Sequence, residues 1–343
     1  MKPLSLINKI LFACNLIAAL LLLLACAVPH VSDGRFSFLS FLSLTVPLLV
    51  GFNFFFFLYW LLKRRKQVCV SVFVLVFGYF SLGTFIKFKL TEEEILEDDL
   101  SIMSYNVRSF NRYDNLDVPN VFEKVKAFVD QEQPDIICFQ EPGYLRKNEY
   151  LDDYPYHYLD YIYMKGKVLL GFYSKYPIVK FDMVCFPDSA NNAAFIDVLY
   201  KKDTIRIYNV HLQSLGITPG KGIIKNKPKD KLFKMLNKRF KIQQQQAKML
   251  EESMKANNYK QIVCGDFNNT QFSNAYKVIK GEKQDTFIEQ GTGYDRTLLF
   301  HGLPVRIDFI LADPEFKVKS HKNYDVKYSD HYPTMASLEL KSD

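Results

Sequence analysis

Residues 261–268 read QIVCGDFN, a short apolar run that predicts a buried strand and that leads directly into two polar side chains, Asp266 and Asn268. The same arrangement recurs between residues 101 and 340, where apolar strand candidates end in carboxylate, amide or imidazole groups. The further members of this series are Asn106 in IMSYN, Glu141 in IICFQE, Asn209 and His211 in IYNVHL, Asp308 in RIDFIL, and Asp330 with His331 in SDHYP. A single Asn or Asp at a strand end is an ordinary turn residue, but six such positions in sequence predict one polar cluster at one edge of a sheet.

Short apolar runs mixed with helical stretches predict a layered α/β domain with sheet at its centre. Side-chain alternation along the strand candidate 204–212 places Asn209 and His211 on the same side of that strand. The strand candidates are residues 101–107, 135–140, 168–173, 195–200, 204–212, 261–265, 305–312 and 334–340, and the helix candidates are residues 119–132 and 231–257.

The residue types in this series favour a hard cation and chemistry at phosphorus. Carboxylate and amide oxygens suit Mg²⁺, which is typically held by one or two carboxylates together with the phosphate of the substrate. No Cys and His set with zinc spacing accompanies them, and the sequence has no G-x-S-x-G elbow, no P-loop and no dinucleotide fingerprint. His211 and His331 are available to contact a phosphoryl oxygen or to move a proton. Asp330, or another carboxylate, could fix the ring tautomer of His331.

The ordered motifs SYN, FQE, NVHL, GDFN, RIDFIL and SDHYP resemble those of the endonuclease/exonuclease/phosphatase superfamily, over about residues 100–340. The resemblance implies an α/β (α+β) fold, a four-layer αββα sandwich of two packed sheets with helices outside. It also implies hydrolysis of phosphoester bonds with Mg²⁺ or Mn²⁺. His211-Leu212-Gln213 looks closer to the deoxyribonuclease and sphingomyelinase branches than to the AP endonucleases, which carry Tyr at the position of His211 and Asp at that of Arg108.

The resemblance also implies a role for each residue of the series. Asn106, Glu141 and Asp308 would form the metal site, and Asn209 would contact substrate. Arg108 departs from the family pattern and is predicted either to contact substrate phosphate or to be a surface or structural residue. Asp266 would position or activate water, Asn268 would hold a phosphate oxygen, and Asp330 would orient His331. His211 and His331 would stabilise the pentavalent phosphorus, and one of them, left open by the sequence, would act as general acid or base.

The first 89 residues predict a membrane anchor of three transmembrane helices. Residues 10–28, 36–62 and 67–86 are uncharged and apolar, and each run reaches the roughly 20 residues that a bilayer core requires. Residues 90–100 form a charged connector, and residues 101–343 form the predicted catalytic domain. An alternative interpretation takes the first run as a cleaved lipoprotein signal, with a lipid on Cys26.

The basic residues of the short loops predict the orientation of this anchor. Four consecutive bases, Lys63 to Lys66, favour a cytoplasmic loop between the second and third runs. Lys2 and Lys9 place the N-terminus on the same side, so three spans put the catalytic domain on the exoplasmic side. In a bacterium this would be the periplasmic side of the inner membrane.

The formal net charge of +7 belongs to the anchor and not to the catalytic region. The first 90 residues hold nine Lys or Arg residues and one acid, whereas the remainder holds 35 bases and 36 acids. Residues 219–248 concentrate ten bases against Asp230. This segment is either a solvated helix face and loop or an arm that attracts anionic substrate or lipid headgroups. The six cysteines predict no disulfide framework.

Three functions remain open from the sequence alone. The first is a membrane-anchored phosphodiesterase, nuclease-like, acting on nucleic acid outside the cytoplasm. The second is the same chemistry on a phospholipid, as in sphingomyelinases, or on another small phosphoester. The third is an inactive domain that only binds a ligand. The expected partners are a phosphoester substrate and the lipid bilayer, and no obligate protein partner is evident.

Overall fold

The computed structural model describes residues 4–32, 34–88, 95–96, 98–113, 116–143, 151–159, 168–187, 189–216, 228–300 and 303–341, and the chain divides into two units. The helical unit comprises Met1–Phe85, Pro228–Gln244 and Asn269–Lys277. The sheet unit comprises Ile86–Lys227, Gln245–Asn268 and Val278–Asp343. Most of the predicted connector 90–100 and the first part of the basic segment, residues 219–227, lie outside the described residues. A domain boundary at the connector therefore stays a prediction.

Two six-stranded mixed sheets build the sheet unit. The first sheet consists of β2 (Leu100–Asn106), β3 (Ile136–Gln140), β4 (Tyr156–Leu159), β5 (Leu170–Ser174), β15 (Phe316–Asn323) and β16 (Thr334–Leu340). The second consists of β6 (Ile178–Val184), β7 (Asn192–Tyr200), β8 (Asp203–His211), β9 (Lys260–Asp266), β10 (Gln284–Asp285) and β14 (Asp308–Ala312). The strand order is β15-β16-β2-β3-β5-β4 in the first sheet and β10-β14-β9-β8-β7-β6 in the second. Each contains one parallel pair, β2 with β3 and β8 with β9, among antiparallel neighbours.

Short strand pairs and helices complete the described elements. Strand β1 (Ile86–Lys87) pairs with β11 (Gly293–Tyr294), and β12 (Leu298–Phe300) pairs with β13 (Leu303–Val305). The helices are α1 (Leu6–Ala27), α2 (Val46–Leu62), α3 (Val68–Leu82), α4 (Val121–Glu132), α5 (Lys229–Lys255), α6 (Asn274–Lys280) and α7 (Thr286–Gln290), together with the 3-10 helices Val28–His30, Gly34–Thr45 and Arg108–Asn111.

The two sheets pack face to face through one apolar core. Fully buried Ile136 and Phe172 of the first sheet share a cluster with Ile207 and Ile310 of the second. Helix α4 covers the outer face of the first sheet through a second cluster. The C-terminal half of α5 covers the second sheet, where the Tyr208 hydroxyl donates to the Ser253 carbonyl at 3.1 Å. The predicted α/β sandwich with flanking helices is therefore confirmed.

The anchor prediction needs correction in its third helix. Residues Leu6–His30 and Phe36–Leu62 are helical, apolar and long enough to cross a membrane. The third apolar helix, α3, has 15 residues, about 22 Å at 1.5 Å per residue, against a hydrocarbon core of about 30 Å. It ends because Gly83 adopts a φ of +74°, and β1 begins at Ile86. The described residues therefore contain two helices of spanning length and not three.

Buried polar contacts hold the three apolar helices together. The Asn15 amide donates to the Ser71 hydroxyl at 3.0 Å, and the Trp60 indole donates to the Asn15 carbonyl oxygen at 3.1 Å. Farther along α1, the Asn53 amide of α2 donates to the Ala18 carbonyl at 3.1 Å. Such interhelical hydrogen bonds fix register where the surroundings are apolar. Successive helices consequently run antiparallel, and the Lys63–Lys66 turn lies at the N-terminal end of α1.

A second buried network in the helical unit joins the 3-10 helix Gly34–Thr45 to residues 269–270. The Ser43 hydroxyl donates to Asn269 Oδ1 at 3.1 Å, and the Asn269 amide donates to Gln243 Oε1 at 2.8 Å. The Thr270 hydroxyl donates to the Ser43 carbonyl at 2.9 Å. Ser43, Asn269 and Thr270 are buried. The Ser43 hydroxyl also donates to the Ser40 carbonyl at 2.6 Å, and Asn269 Oδ1 also accepts the Thr270 backbone N–H at 2.9 Å, so these groups share one network.

We therefore expect the free energies of unfolding of Ser43→Ala and Asn269→Ala to be coupled. A double-mutant cycle on the full chain in detergent should give an interaction energy of about 0.5–3 kcal/mol, the range for side chains in one hydrogen-bond network. The matched control pairs Ser43→Ala with Asn258→Ala, an exposed amide, and should be additive. Additivity of the Ser43 and Asn269 variants as well would contradict the network.

Candidate active site

Strand register brings the predicted residues to one edge of the two sheets. Asp266 at the end of β9 is the register partner of His211 on parallel β8 and of Asp308 on antiparallel β14. In the first sheet, Asn106 ends β2 opposite Gln140 of β3, and Glu141 follows directly. Because the carboxyl ends of parallel neighbours meet at the same edge, one set of polar ends from each sheet forms the site.

Asp308 orients the His331 ring. His331 Nδ1 lies 3.0 Å from Asp308 Oδ2, and both side chains are buried. Its other ring nitrogen, Nε2, lies 3.7 Å from Asp266 Oδ2. Burial alone would lower the pKa of His331, but the carboxylates of Asp308 and Asp266 raise it to about 10. The imidazolium form is therefore favoured at this position.

The predicted orienting role of Asp330 is wrong. Asp330 forms an ion pair with the Arg108 guanidinium. Although Asp330 is adjacent to His331 in sequence, the carboxylate that hydrogen-bonds the ring comes from β14. Arg108 lies at the site edge with its charge engaged by Asp330, and its predicted contact with substrate stays a prediction.

Asp266 is the most buried carboxylate at the centre of the site. Its Oδ1 accepts the backbone N–H of Asn268 at 2.7 Å, and its Oδ2 accepts the side-chain amides of Asn106 at 3.1 Å and Asn268 at 3.2 Å. Burial raises the pKa of Asp266, His331 lowers it and Asp308 raises it again, to about 8. Asp266 therefore holds a proton more tightly than an ordinary carboxylate.

Glu141 and His211 complete the opposite side of the cluster. His211 Nε2 lies 3.6 Å from both Glu141 Oε1 and Asp266 Oδ2. The Glu141 side chain is 34% exposed, whereas His211 and Asp266 are buried, so the cluster reaches solvent at Glu141. Burial lowers the pKa of His211, although Glu141 opposes this. The two histidines thus differ in charge preference, His331 towards imidazolium and His211 towards neutral imidazole.

Asn106 connects these carboxylates through its NH₂ group. Its Nδ2 donates to Glu141 Oε1 at 3.4 Å and to Asp266 Oδ2, while its Oδ1 accepts the Arg108 backbone N–H at 3.2 Å. In this orientation Asn106 positions two carboxylates, and its predicted part in metal binding stays a prediction.

The backbone around the site adopts conformations that are uncommon for residues other than glycine. Arg108, Glu141 and Asn268 have φ values of +43°, +52° and +49°. At Gly265 a Cβ atom would lie 2.0 Å from the Val210 carbonyl oxygen, so only glycine allows β9 to approach β8 this closely before Asp266. Left-handed residues of this kind concentrate where surrounding contacts hold functional groups in place.

The predicted substrate contact of Asn209 is wrong. Asn209 is fully buried between the sheets, where its amide donates to the carbonyls of Phe139 at 2.9 Å and Gly171 at 3.1 Å. Its Oδ1 accepts the Gln140 amide at 2.8 Å. Alternation correctly places Asn209 on the face of His211, but two residues deeper along the strand, where it joins the two sheets.

Sequence reasoning missed Thr297. Its hydroxyl accepts the backbone N–H groups of Ile307 at 2.9 Å and Asp308 at 3.1 Å, which fixes the start of β14. The next residue, Leu298, bridges to His331. Thr297 follows no strand motif in the sequence, so no local pattern marks it.

The donor set fits a divalent cation. One ligand atom from each of Asp266, Asp308 and His331 lies within 4.8 Å of the others, and Glu141 lies beside them. Two buried carboxylates this close repel each other unless a positive charge compensates them. Carboxylate oxygens are the ligands that Mg²⁺ and Mn²⁺ prefer. Of the predicted ligands, Asp308 belongs to this group, while the parts of Asn106 and Glu141 stay predictions.

The fold and this convergence of carboxylates and imidazoles define a phosphoesterase of the α/β-sandwich class. The model of the Endonuclease/Exonuclease/phosphatase family matches residues 103–331, well over half of the chain, and the chain belongs to this family. A second model, described as a domain of unknown function (DUF8431), matches residues 8–85. A search of the curated proteins found no match.

Solved structures share the fold at low identity. An endonuclease/exonuclease/phosphatase from Bacteroides vulgatus is 21% identical, with a TM-score of 0.55 over 71% of this chain and 99% of that one. D. rerio TDP2, complexed with a single-strand DNA product, is 14% identical, with a TM-score of 0.53 over 70% and 99%. A mannosyl-6-phosphatase from Bacteroides thetaiotaomicron is 18% identical, with a TM-score of 0.50 over 70% and 99%.

The corrected role of Asn209 predicts an effect on stability and not on substrate binding. Asn209→Leu removes three buried hydrogen bonds that join the two sheets, so we expect a loss of about 1–3 kcal/mol in the free energy of unfolding. Steady-state hydrolysis of a soluble phosphodiester should retain its KM per folded molecule. A raised KM with unchanged thermal stability would instead restore the substrate contact that the sequence predicts.

Proposed function

We propose that this protein is a divalent-metal-dependent phosphoester hydrolase, attached to a membrane by its N-terminal helices, with its catalytic domain on the exoplasmic side. The observation that carries the hydrolase is the approach of Asp266, Asp308 and His331 to within 4.8 Å at the sheet edge. Membership of the Endonuclease/Exonuclease/phosphatase family supports it.

In this proposal, Glu141 and the neighbouring carboxylates hold Mg²⁺ or Mn²⁺. The bound ion supplies positive charge that offsets the charge of the phosphoryl oxygens. Asp266 positions the attacking water and accepts its proton, since its carboxylate lies at the centre of the cluster beside both imidazoles. Asn268 keeps that carboxylate in place through its backbone N–H and side-chain amide.

His331, held as imidazolium by Asp308, stabilises the negative charge that develops on the phosphorane oxygens. A preorganised cation of this kind acts most strongly in a water-poor site. His211, with its lowered pKa, stays neutral and hydrogen-bonds the phosphoryl group or the leaving oxygen. The complete set of acidic, amide and imidazole groups disfavours an inactive binding domain.

We expect the full chain, purified in detergent, to hydrolyse bis(p-nitrophenyl) phosphate with Mg²⁺ or Mn²⁺. His331→Ala and Asp308→Asn should each lower kcat by about 10²-fold or more, the contribution typical of a positioned acid–base or charge-stabilising group. His157→Ala, which removes an exposed imidazole from the edge strand β4, is the matched control and should retain activity.

EDTA should abolish this activity, and excess Mg²⁺ or Mn²⁺ should restore it. Turnover that is indifferent to EDTA would exclude the metal mechanism. A chain that binds metal but cleaves no phosphoester would favour the binding domain.

The substrate class of first choice is a phosphodiester of nucleic acid. The second candidate is a phospholipid headgroup, which the apolar N-terminal helices favour because they would keep the enzyme at a lipid surface. Rates on plasmid DNA, RNA, sphingomyelin and inositol phosphates, compared on one preparation, separate these candidates.

The proposed orientation relies on the direction of the apolar helices. The Lys63–Lys66 turn lies at the N-terminal end of α1, and short basic loops stay in the cytoplasm. Helix α3 returns the chain to the opposite end of the bundle, where the Gln271 amide donates to the Thr84 carbonyl at 3.0 Å. This proposal requires α3 to carry the chain across the membrane as well, and its 15 residues are shorter than the hydrocarbon core, a mismatch that local thinning of the bilayer accommodates. Residues after α3 would then lie on the exoplasmic side.

Alkaline phosphatase fused after Ser342 should therefore be active when expressed in bacteria, because this enzyme matures only outside the cytoplasm. The matched control is a fusion after Lys66, which should be inactive at equal expression. The reverse pattern would place the catalytic domain in the cytoplasm.

A further inference from the structure

An apolar groove of about 400 Å³ lies within the helical unit, where α1, the 3-10 helix Gly34–Thr45 and the first turns of α5 meet. Leu24, Phe38 and Phe41 line it and remain 37–45% exposed, and Phe233 on α5 is 52% exposed. In water this would be a costly apolar patch. Its position on α1, one of the two helices of spanning length, makes it continuous with a surface that contacts lipid if α1 crosses a membrane.

The helix that closes this groove is strongly cationic. Between Lys229 and Lys241, α5 carries five exposed lysines and Arg239 against Asp230 as the only acid. Lys229 lines the groove itself. An amphipathic helix with one apolar face and a Lys-rich opposite face is typical of the interface of an anionic membrane.

Arg239 is the second, independent observation. Arg239 is half-buried, and its Nη1 atom is shielded from solvent and has no hydrogen-bond partner among the described residues. It follows Leu236, a groove residue, by three positions and therefore lies on the adjoining part of the same helix surface. A guanidinium that has no carboxylate partner in the described part of the chain and lies beside an apolar groove is suited to a phosphate, which it binds with a planar pair of donors.

We propose that this groove is a binding site for an anionic phospholipid, with an acyl chain along the apolar lining and the lipid phosphate on Arg239. The proposal rests on the membrane attachment proposed above. The lipid is bound here as a structural ligand and not as a substrate. The lysines of α5 add attraction to neighbouring anionic headgroups, which accounts for the described part of the basic segment at residues 228–248.

The test is lipid retention by the full chain. The protein is reconstituted into nanodiscs containing equal phosphatidylglycerol and phosphatidylcholine of matched acyl chains, released into detergent with EDTA present to prevent hydrolysis, and analysed by native mass spectrometry. We expect one retained phosphatidylglycerol per chain in preference to phosphatidylcholine. Arg239→Gln should lower that retention about tenfold, the effect of losing one charge-assisted phosphate contact.

Two further variants separate the site from general charge effects. Lys248→Gln removes an exposed base from the same helix and should leave retention unchanged. Leu24→Trp fills the groove from a partly exposed position and should displace the lipid while the melting temperature is kept. Hydrolysis of bis(p-nitrophenyl) phosphate by Arg239→Gln should match that of the wild type, because Arg239 has no part in the catalytic cluster.

The failure modes are distinct. A wild-type chain that enters nanodiscs but retains the two lipids equally, or an Arg239→Gln variant that retains phosphatidylglycerol as the wild type does, would overturn the lipid site alone. A chain that fails to enter nanodiscs and is released by alkaline carbonate would overturn membrane attachment, and this proposal with it.

Discussion

The register of three neighbouring strands is the constraint on which the site depends. Asp266 has His211 as its partner on one side and Asp308 on the other. A shift of one residue in either pairing would turn one of these side chains to the opposite face of the sheet. Gly265 protects this arrangement, because any side chain there would collide with the Val210 carbonyl. The backbone register therefore determines which side chains face the site, whatever rotamers they adopt.

Burial and proximity together shift the pKa values of Asp266 and His331. Asp266 and Asp308 lie close together with little access to water, so the negative charge needs a compensating partner. His331 supplies one positive charge through its bond to Asp308, and its pKa rises accordingly. Burial raises the pKa of Asp266 to about 8, against the lowering effect of His331. A divalent cation is the simplest further source of compensation, which is why the apolar surroundings and the predicted metal requirement belong together.

The sequence predicts the parts of this site better than their connections. Glu141 and Asp266 are identified correctly as neighbours. Each follows a short apolar strand, a pattern that can be read from the local sequence, and strand ends of this kind meet at one edge of a sheet. The partner of His331 is not local, since the adjacent Asp330 turns to Arg108 while Asp308 arrives from another strand. Asn209 shows that alternation predicts a face but not a depth. Hydropathy likewise predicts an apolar run at 67–86 but not that Gly83 ends the helix within it.

The N-terminal segment cannot be removed without breaking contacts within the helical unit. Residues 269–277 lie within the family match at 103–331, yet they form one compact unit with residues 1–85. Their polar side chains use the N-terminal segment as partner: Asn274 donates to the Pro29 carbonyl, Gln271 to Thr84, and Thr270 to Ser43. A fragment beginning near residue 90 would lose these partners and would expose Phe272, which is buried against the N-terminal helices. Since natural domains are stable by only about 5–15 kcal/mol, such a fragment would lose much of its margin. Activity of the intact chain, and not of the excised sandwich, is therefore the appropriate measure of this enzyme.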